Sequence, residues 1–131
     1  MEKIIESLKK RPKSTTRINR ESKLFQVILK AIQDKKGENI VSLDLRKIDE
    51  AVSDFFILCE ASNNIQIKAI ADNVEEEVWA QCNEKPYHTE TGAEWTLLDY
   101  VNIVVHIFKP EERKFYDLES LWMDSEQMEH K

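Results

Sequence analysis

EWTLLDYVNIVVHIFKPEERKFYDLESLW, residues 94–122, is the stretch whose reading decides the fold. Ile103–Phe108 is an almost unbroken run of β-branched and aromatic residues. An apolar run precedes it, ending at Asp99-Tyr100, and Val101-Asn102 offers a turn between the two, so the pattern predicts a hairpin. The second strand has no solvent face in its sequence. A strand apolar on both sides belongs in the middle of a sheet covered by helices, and the rest of the chain must supply the covers.

Working outward, Leu24, Phe25, Ile28, Leu29, Ala31 and Ile32 recur at helical spacing, with Lys35, Lys36 and a left-handed cap at Gly37 closing a first helix. Ile40–Leu45 reads as a short strand, residues 46–53 as a polar connection, and Asp54–Cys59 as a second, central strand. Ser62-Asn63-Asn64 favours a helix start, and the helix runs to about Gln81 with Ile67, Ile70, Ala71, Val74 and Val78 as its buried stripe and Trp79 at its edge. Lys85-Pro86 breaks it, Tyr87–Thr91 follows as an edge strand, and Thr91-Gly92-Ala93 turns into the opening stretch. Past the hairpin, Lys109-Pro110 ends the strand, and Glu111, Glu112, Phe115, Leu118 and Leu121-Trp122 predict one last helix. The expected architecture is α+β: a mixed sheet of about five strands with helices packed against it. A basic, poorly ordered arm over residues 1–20 and a polar tail over 124–131 flank one domain at 21–123.

Charge divides the chain. Residues 1–20 carry seven Lys or Arg against Glu2 and Glu6, a net +5, so the remainder carries −11 to give the overall −6. A body this acidic repels phosphates and suits basic surfaces. Cys59 and Cys82 lie far apart without ligand spacing and read as reduced thiols of a cytosolic protein. No apolar run approaches the ~20 residues of a membrane span, and no signal-peptide core is present, so a cytoplasmic location is expected. Met1–Lys13 has the basic residues of an organelle presequence, but Glu2 and Glu6 argue against one.

The candidate catalytic carboxylates are Asp44, Asp54 and Asp99, each at the end of an expected strand, where an Asp is also a routine turn residue. His88, His106 and His130 are scattered, and a lone His106 in a strand fits a hydrogen-bonded core or interface role. A nucleophile elbow is absent, and Gly37 and Gly92, the only glycines, cannot build a phosphate loop. The residues therefore point away from an enzyme, with no catalytic set, metal site or cofactor expected. Alternation along EWTLLDY sets Trp95, Leu97 and Asp99 on one face and Thr96, Leu98 and Tyr100 on the other. Aromatics rimmed by carboxylates suit a hot spot that docks on a basic protein, although Trp95 and Tyr100 covering a sheet edge explains the pattern equally.

KAIADNVEEEV (68–78), EWTLLDY (94–100), VVHIF (104–108) and FYDLESLW (115–122), after SLDL (42–45) and SDFFILC (53–59), resemble the Iojap family of ribosomal silencing factors, RsfS, in order and over residues 24–122. The resemblance implies a nucleotidyltransferase-like fold. The Gly-Ser turn and paired metal-binding acids of that superfamily are missing, because Glu60-Ala61-Ser62-Asn63-Asn64 stands in their place. It implies a factor that binds the large ribosomal subunit through its ribosomal protein conventionally numbered fourteen, keeps the small subunit off, and represses translation when nutrients are scarce. The docking residues expected on this basis are Glu94, Trp95, Leu97, Leu98, Asp99 and Tyr100, extended by Leu118 and Trp122. The resemblance also brings a second copy of the chain as a partner, since members are often dimeric, and the sequence leaves oligomeric state open. Two other readings stand beside it: a nucleotidyltransferase-like enzyme working through Asp44, Asp54 or Asp99, and a basic arm that grips ribosomal RNA. The chain departs from the family pattern at Val101-Asn102, where a Gly-Asp turn is usual, which makes Asn102 the expected left-handed residue. It departs again at Glu60-Ala61, where a glycine is usual.

Overall fold

The computed structural model describes residues 18–48 and 51–131. The basic arm expected over residues 1–20 lies outside the described residues except for Ile18–Arg20. The elements run α1 (Lys23–Asp34), β1 (Glu38–Asp44), β2 (Phe55–Glu60), α2 (Asn64–Cys82), β3 (His88–Thr91), β4 (Trp95–Asp99), β5 (Ile103–Phe108), α3 (Pro110–Tyr116), α4 (Leu118–Leu121) and β6 (Glu126–His130). They build one mixed, six-stranded sheet of order β3-β4-β5-β2-β1-β6. β5 and β2 are the central pair and the only parallel one among the described strands, with Phe55 opposite Ile103 and Glu60 opposite Phe108. All six residues of β5 are buried, as a strand apolar on both sides requires.

α1 and α2 pack side by side on one face. α1 buries Leu24, Phe25, Val27, Ile28, Ala31 and Ile32, and α2 buries the expected stripe of Ile67, Ile70, Ala71, Val74 and Val78. Asn63 caps α2 by accepting the Gln66 amide at 2.8 Å, and the Gln66 side chain returns the favour by accepting the Ser62 amide, also at 2.8 Å. The same Gln66 amide group donates to the Lys35 and Lys36 carbonyls, which locks the start of α2 to the end of α1. The left-handed residue that ends α1 is Lys36 (φ 64°), not Gly37. Gly37 serves by its size: its N–H reaches the Ile32 carbonyl at 3.0 Å, and a Cβ there would stand 2.4 Å from Ile32 Cγ2.

The opposite face is covered by the deciding stretch itself. Val41, Leu43, Leu45, Val52, Phe56, Leu58, Leu97, Val104, Phe108 and Leu118 form a second core there, closed by Trp95 and Trp122. The single last helix expected from the pattern is two short ones, because Asp117 takes a left-handed conformation (φ 44°) between them. Residues 124–131 are not simply a polar tail either. β6 pairs antiparallel with β1 from Glu126 opposite Asp44 to His130 opposite Ile40, so the sheet has six strands rather than five.

The hairpin turn also differs from expectation. Val101, not Asn102, has positive φ (72°), and Asn102 N–H reaches back to the Tyr100 carbonyl at 2.9 Å. This is a γ-turn of the strained, positive-φ type, costly for a β-branched residue. It is held from both sides: Asp99 Oδ1 accepts the Val101 amide at 2.8 Å, and Asn102 Nδ2 donates to Asp54 Oδ2 at 3.1 Å.

Candidate functional site: an aromatic surface with an acidic rim

Alternation along β4 is as the sequence predicts, with Trp95 and Leu97 in the second core and Leu98 and Tyr100 in the first. Both faces of β4 are covered, however. Leu97, Leu98, Asp99 and Tyr100 are 1, 2, 1 and 4 % exposed, and Leu118 is 1 % exposed, so these five expected docking residues lie inside the protein. Trp95 and Tyr100 point to opposite faces and do not share a surface. Of the expected set, Glu94 is exposed and Trp95 and Trp122 are half-buried.

The two tryptophans belong to a branched chain of rings, with Glu94 next to Trp95 in sequence. Buried Phe56 packs on His106 at 4.6 Å between centroids, Trp95 lies 5.7 Å from His106 and stacks on Phe108 at 4.7 Å, Tyr116 follows at 4.9 Å from Trp95, and Phe115 at 5.0 Å from Tyr116. A side branch takes Phe56 to Trp122 at 6.0 Å. The chain ends in water: Phe115 is 79 % exposed, and Leu121 and Met123 beside it in sequence are 53 and 75 % exposed. Phe115 and Leu121 reach the surface because Asp117 breaks the helix that would have turned them inward with Leu118. The sequence pattern places both in one last helix, and the one signal against a continuous helix is that Asp117 favours a break.

Exposed carboxylates neighbour these rings along the chain. Glu94 and Glu111 are exposed, as are Asp117 and Asp124. The Glu112 carboxyl is raised from its ordinary value, first by a hydrogen bond to Glu94 and also by the charge of Glu94 and Glu111, so the two carboxyls adjoin where α3 meets β4. Beneath them Arg113 is engaged inward. Its guanidinium donates to the Asn39 carbonyl at 2.5 Å and pairs with Glu119 at 3.1 Å and Glu60 at 3.7 Å, which ties α3 and α4 to the sheet. Nothing in its local sequence, KPEERKFY, distinguishes Arg113 from a solvent-facing arginine.

His106 is 1 % exposed, and its Nδ1 accepts the Trp95 indole N–H at 3.2 Å. The ring proton then sits on Nε2, which has no partner among the described residues, and Trp122 Nε1 is likewise without one. Burial pushes the imidazole down to about 3, so it stays neutral and acts as a fixed acceptor that orients Trp95. It is a structural histidine, in line with the sequence.

The three strand-end acids are occupied by protein groups. Asp44 receives Arg46 Nη2 at 2.7 Å and its backbone amide at 3.0 Å. Its pKa is lowered overall: burial, the largest influence, raises it, but the hydrogen bonds and charge of Arg46 outweigh that. Asp54 accepts Asn102 Nδ2 and, at 3.4 Å, the Ile18 amide, while Asp99 holds the γ-turn. No group of three or more metal-ligating side chains occurs among the described residues, and no helix there is long and apolar enough to cross a membrane. Cys59 is buried, with its thiol pushed up to about 12, and is inert as a nucleophile at neutral pH.

A family model described as ribosomal silencing factor during starvation, RsfS, matches residues 18–131. The chain is 36 % identical over 107 residues to the ribosomal silencing factor RsfS of Halalkalibacterium halodurans, covering 81 % of this chain and 91 % of that one. A crystal structure from Bacillus halodurans is 35 % identical, with a TM-score of 0.68 over 79 % of this chain and 95 % of the other. One from Chromobacterium violaceum is 30 % identical, with a TM-score of 0.70 over 76 % and 82 %. With a folded core, an edge strand β6 and a ring-lined surface all inside the matched range, the chain belongs to the RsfS family of ribosomal silencing factors.

Proposed function

We propose that this protein binds the large ribosomal subunit, through the ribosomal protein numbered fourteen, and lowers translation under nutrient limitation by physically excluding the small subunit. The observation that carries the docking surface is the chain of rings that runs from Phe56 through His106 and Trp95 to exposed Phe115, edged by Glu94, Glu111 and Glu112. Aromatic anchors backed by a rigid core lose little freedom on binding, and an acidic rim steers them to a basic partner. In this reading Glu94, Trp95 and Trp122 touch the partner together with Phe115 and Leu121. Leu97, Leu98, Asp99, Tyr100 and Leu118 hold that surface in shape from beneath. The role is regulatory rather than catalytic, in keeping with the names of its relatives and with Asp44, Asp54 and Asp99 being bound to protein groups.

Sedimentation of mixed ribosomal subunits tests this. Added protein is expected to shift joined ribosomes to free subunits, and Phe115→Ala with Trp122→Ala to weaken the effect at least tenfold while the fold persists. Unchanged joining at saturating protein overturns the proposal. A contact between the arm and ribosomal RNA is tested by removing residues 1–17, which would lower the salt dependence of binding. The cut spares Arg20, whose guanidinium is already bonded to Ser42 Oγ at 3.0 Å and to the Glu126 carbonyl at 3.2 Å.

A further inference from the structure

Away from the ring-lined face, two grooves lie end to end between α2 and the edge strand β3. The first, about 380 Å³, has Ile67, Ala71 and Leu98 in its lining, with Thr89 and Thr91 from the strand. The second, about 600 Å³, shares Glu75 and Thr89 with the first and continues to Trp79 and Tyr87. Both aromatics are half exposed or more, at 50 and 59 %. β3 is bonded only to β4 among the described strands, and all four of its residues are exposed, so one margin of its backbone faces solvent beside this trench.

The charges along the trench are unequal. Lys68 is spent on Asp72 at 2.9 Å, and Lys85 Nζ stands 4.9 Å from the Trp79 ring centre. Glu75 and Glu76 have no ion-pair partner within 4.0 Å among the described residues. A free strand edge supplies main-chain hydrogen bonds to an extended peptide, and alternate side chains of that peptide fall into the adjoining groove. Glu75 and Glu76 against Lys85 leave the trench net acidic, which disfavours a nucleic acid backbone and favours lysine or arginine. It also disfavours a second copy pairing through the same edge, because that would bring two acidic trenches together.

We propose that the trench between α2 and β3 takes an extended basic segment of a partner protein, which adds to β3 as a seventh strand and sets its cationic side chains against Glu75 and Glu76. The site is separate from the ring-lined surface, so it stands or falls independently of ribosome docking.

The test is a titration of the full chain, labelled with nitrogen-15, with an acetylated and amidated decapeptide alternating lysine and threonine. Saturable shifts confined to the amides of residues 64–79 and 87–96, with slowed amide exchange along 88–91, are expected. Glu75→Lys with Glu76→Lys is expected to weaken binding at least tenfold without moving Tm, and a glutamate–threonine decapeptide to leave the spectrum unchanged. Equal affinity for the double variant, equal binding of the acidic peptide, or shifts centred on other residues overturns the proposal. Tighter peptide binding after removal of residues 1–17 also overturns it, by assigning the trench to the chain's own basic arm.

Discussion

The two faces of the sheet are closed by different means. One lies under helices of 12 and 19 residues, long enough to carry continuous apolar stripes. The other lies under helices of seven and four residues, too short to present a stripe, and is finished by aromatic rings and the Arg113 guanidinium. The short covers leave Phe115 and Leu121 in solvent, with Met123 just beyond them, and on the long-helix face α2 leaves Ile65 and half of Trp79 there as well. A cover too small to hide its own apolar groups leaves them for something else to cover. What sets the short-helix face apart is that its exposed ring, Phe115, connects through Tyr116 and Trp95 to the core, and the docking surface proposed above uses that face.

Cutting into the long-helix face should cost most. Phe25 is fully buried and packs edge-on against Phe55 at 5.1 Å, so Phe25→Ala is expected to destabilise the protein by about 4 kcal/mol in urea unfolding. The near-ultraviolet signal of the Trp95 cluster should be kept in the folded fraction. On the short-helix face, Arg113→Ala removes the cation that Glu60 and Glu119 share, leaving Glu60 only its Asn39 side-chain donor, and should cost about 3 kcal/mol. Its distinguishing sign is early loss of the Trp95 and Trp122 signals, before the helix pair melts. If both variants unfold with the same probe order, the faces are one cooperative unit and the contrast fails.

The effect that is smallest per step of the measurement is one of pH, read as a slope. His106 is held down from 6.5 to about 3, so the unfolded chain binds a proton that the folded one refuses. Stability from this group is therefore complete above about pH 6.5 and is lost as pH falls towards 3, with a limiting slope of about 1.4 kcal/mol per pH unit. His130, also lowered mainly by burial, acts in the same direction. His106→Phe is expected to flatten the slope by up to one proton while leaving the Trp95 N–H without its acceptor. An unchanged slope would show that His106 titrates normally.

Ile103–Phe108 declared its central place in the sequence because every residue is apolar or aromatic, and no register exposes a face of it. The same rule applied to Leu97-Leu98 would have buried both, since adjacent strand residues point to opposite faces, yet the carboxylates around them drew attention to the surface instead. β6 was not legible, because EQMEH has no apolar alternation. Its pairing is carried by β1's backbone and by distant side chains: Ser42 Oγ meets His130 Nε2 at 2.8 Å, and Gln33 Nε2 donates to the Lys131 carbonyl at 2.7 Å. Arg113 was hidden for the same reason, as its partners Asn39 and Glu60 come from strands far upstream. Of the proposed docking surface, only Glu94, Trp95 and Trp122 belong to the expected set. The rest depends on Asp117 adopting one unusual conformation.

The fastening of β6 also sets an order in time. Arg20 and the Glu126 carbonyl are 106 positions apart, and Ser42 and His130 are 88 apart, so each bond closes a very long loop. The local pieces, the helix pair and the β4–β5 hairpin, pay little closure entropy and form early. During synthesis the β1 edge therefore waits, unpaired, until residues 126–130 are made. For that interval Ile40–Asp44 is an open, half-apolar strand, and the chain is exposed to mispairing with other nascent chains until β6 closes that edge.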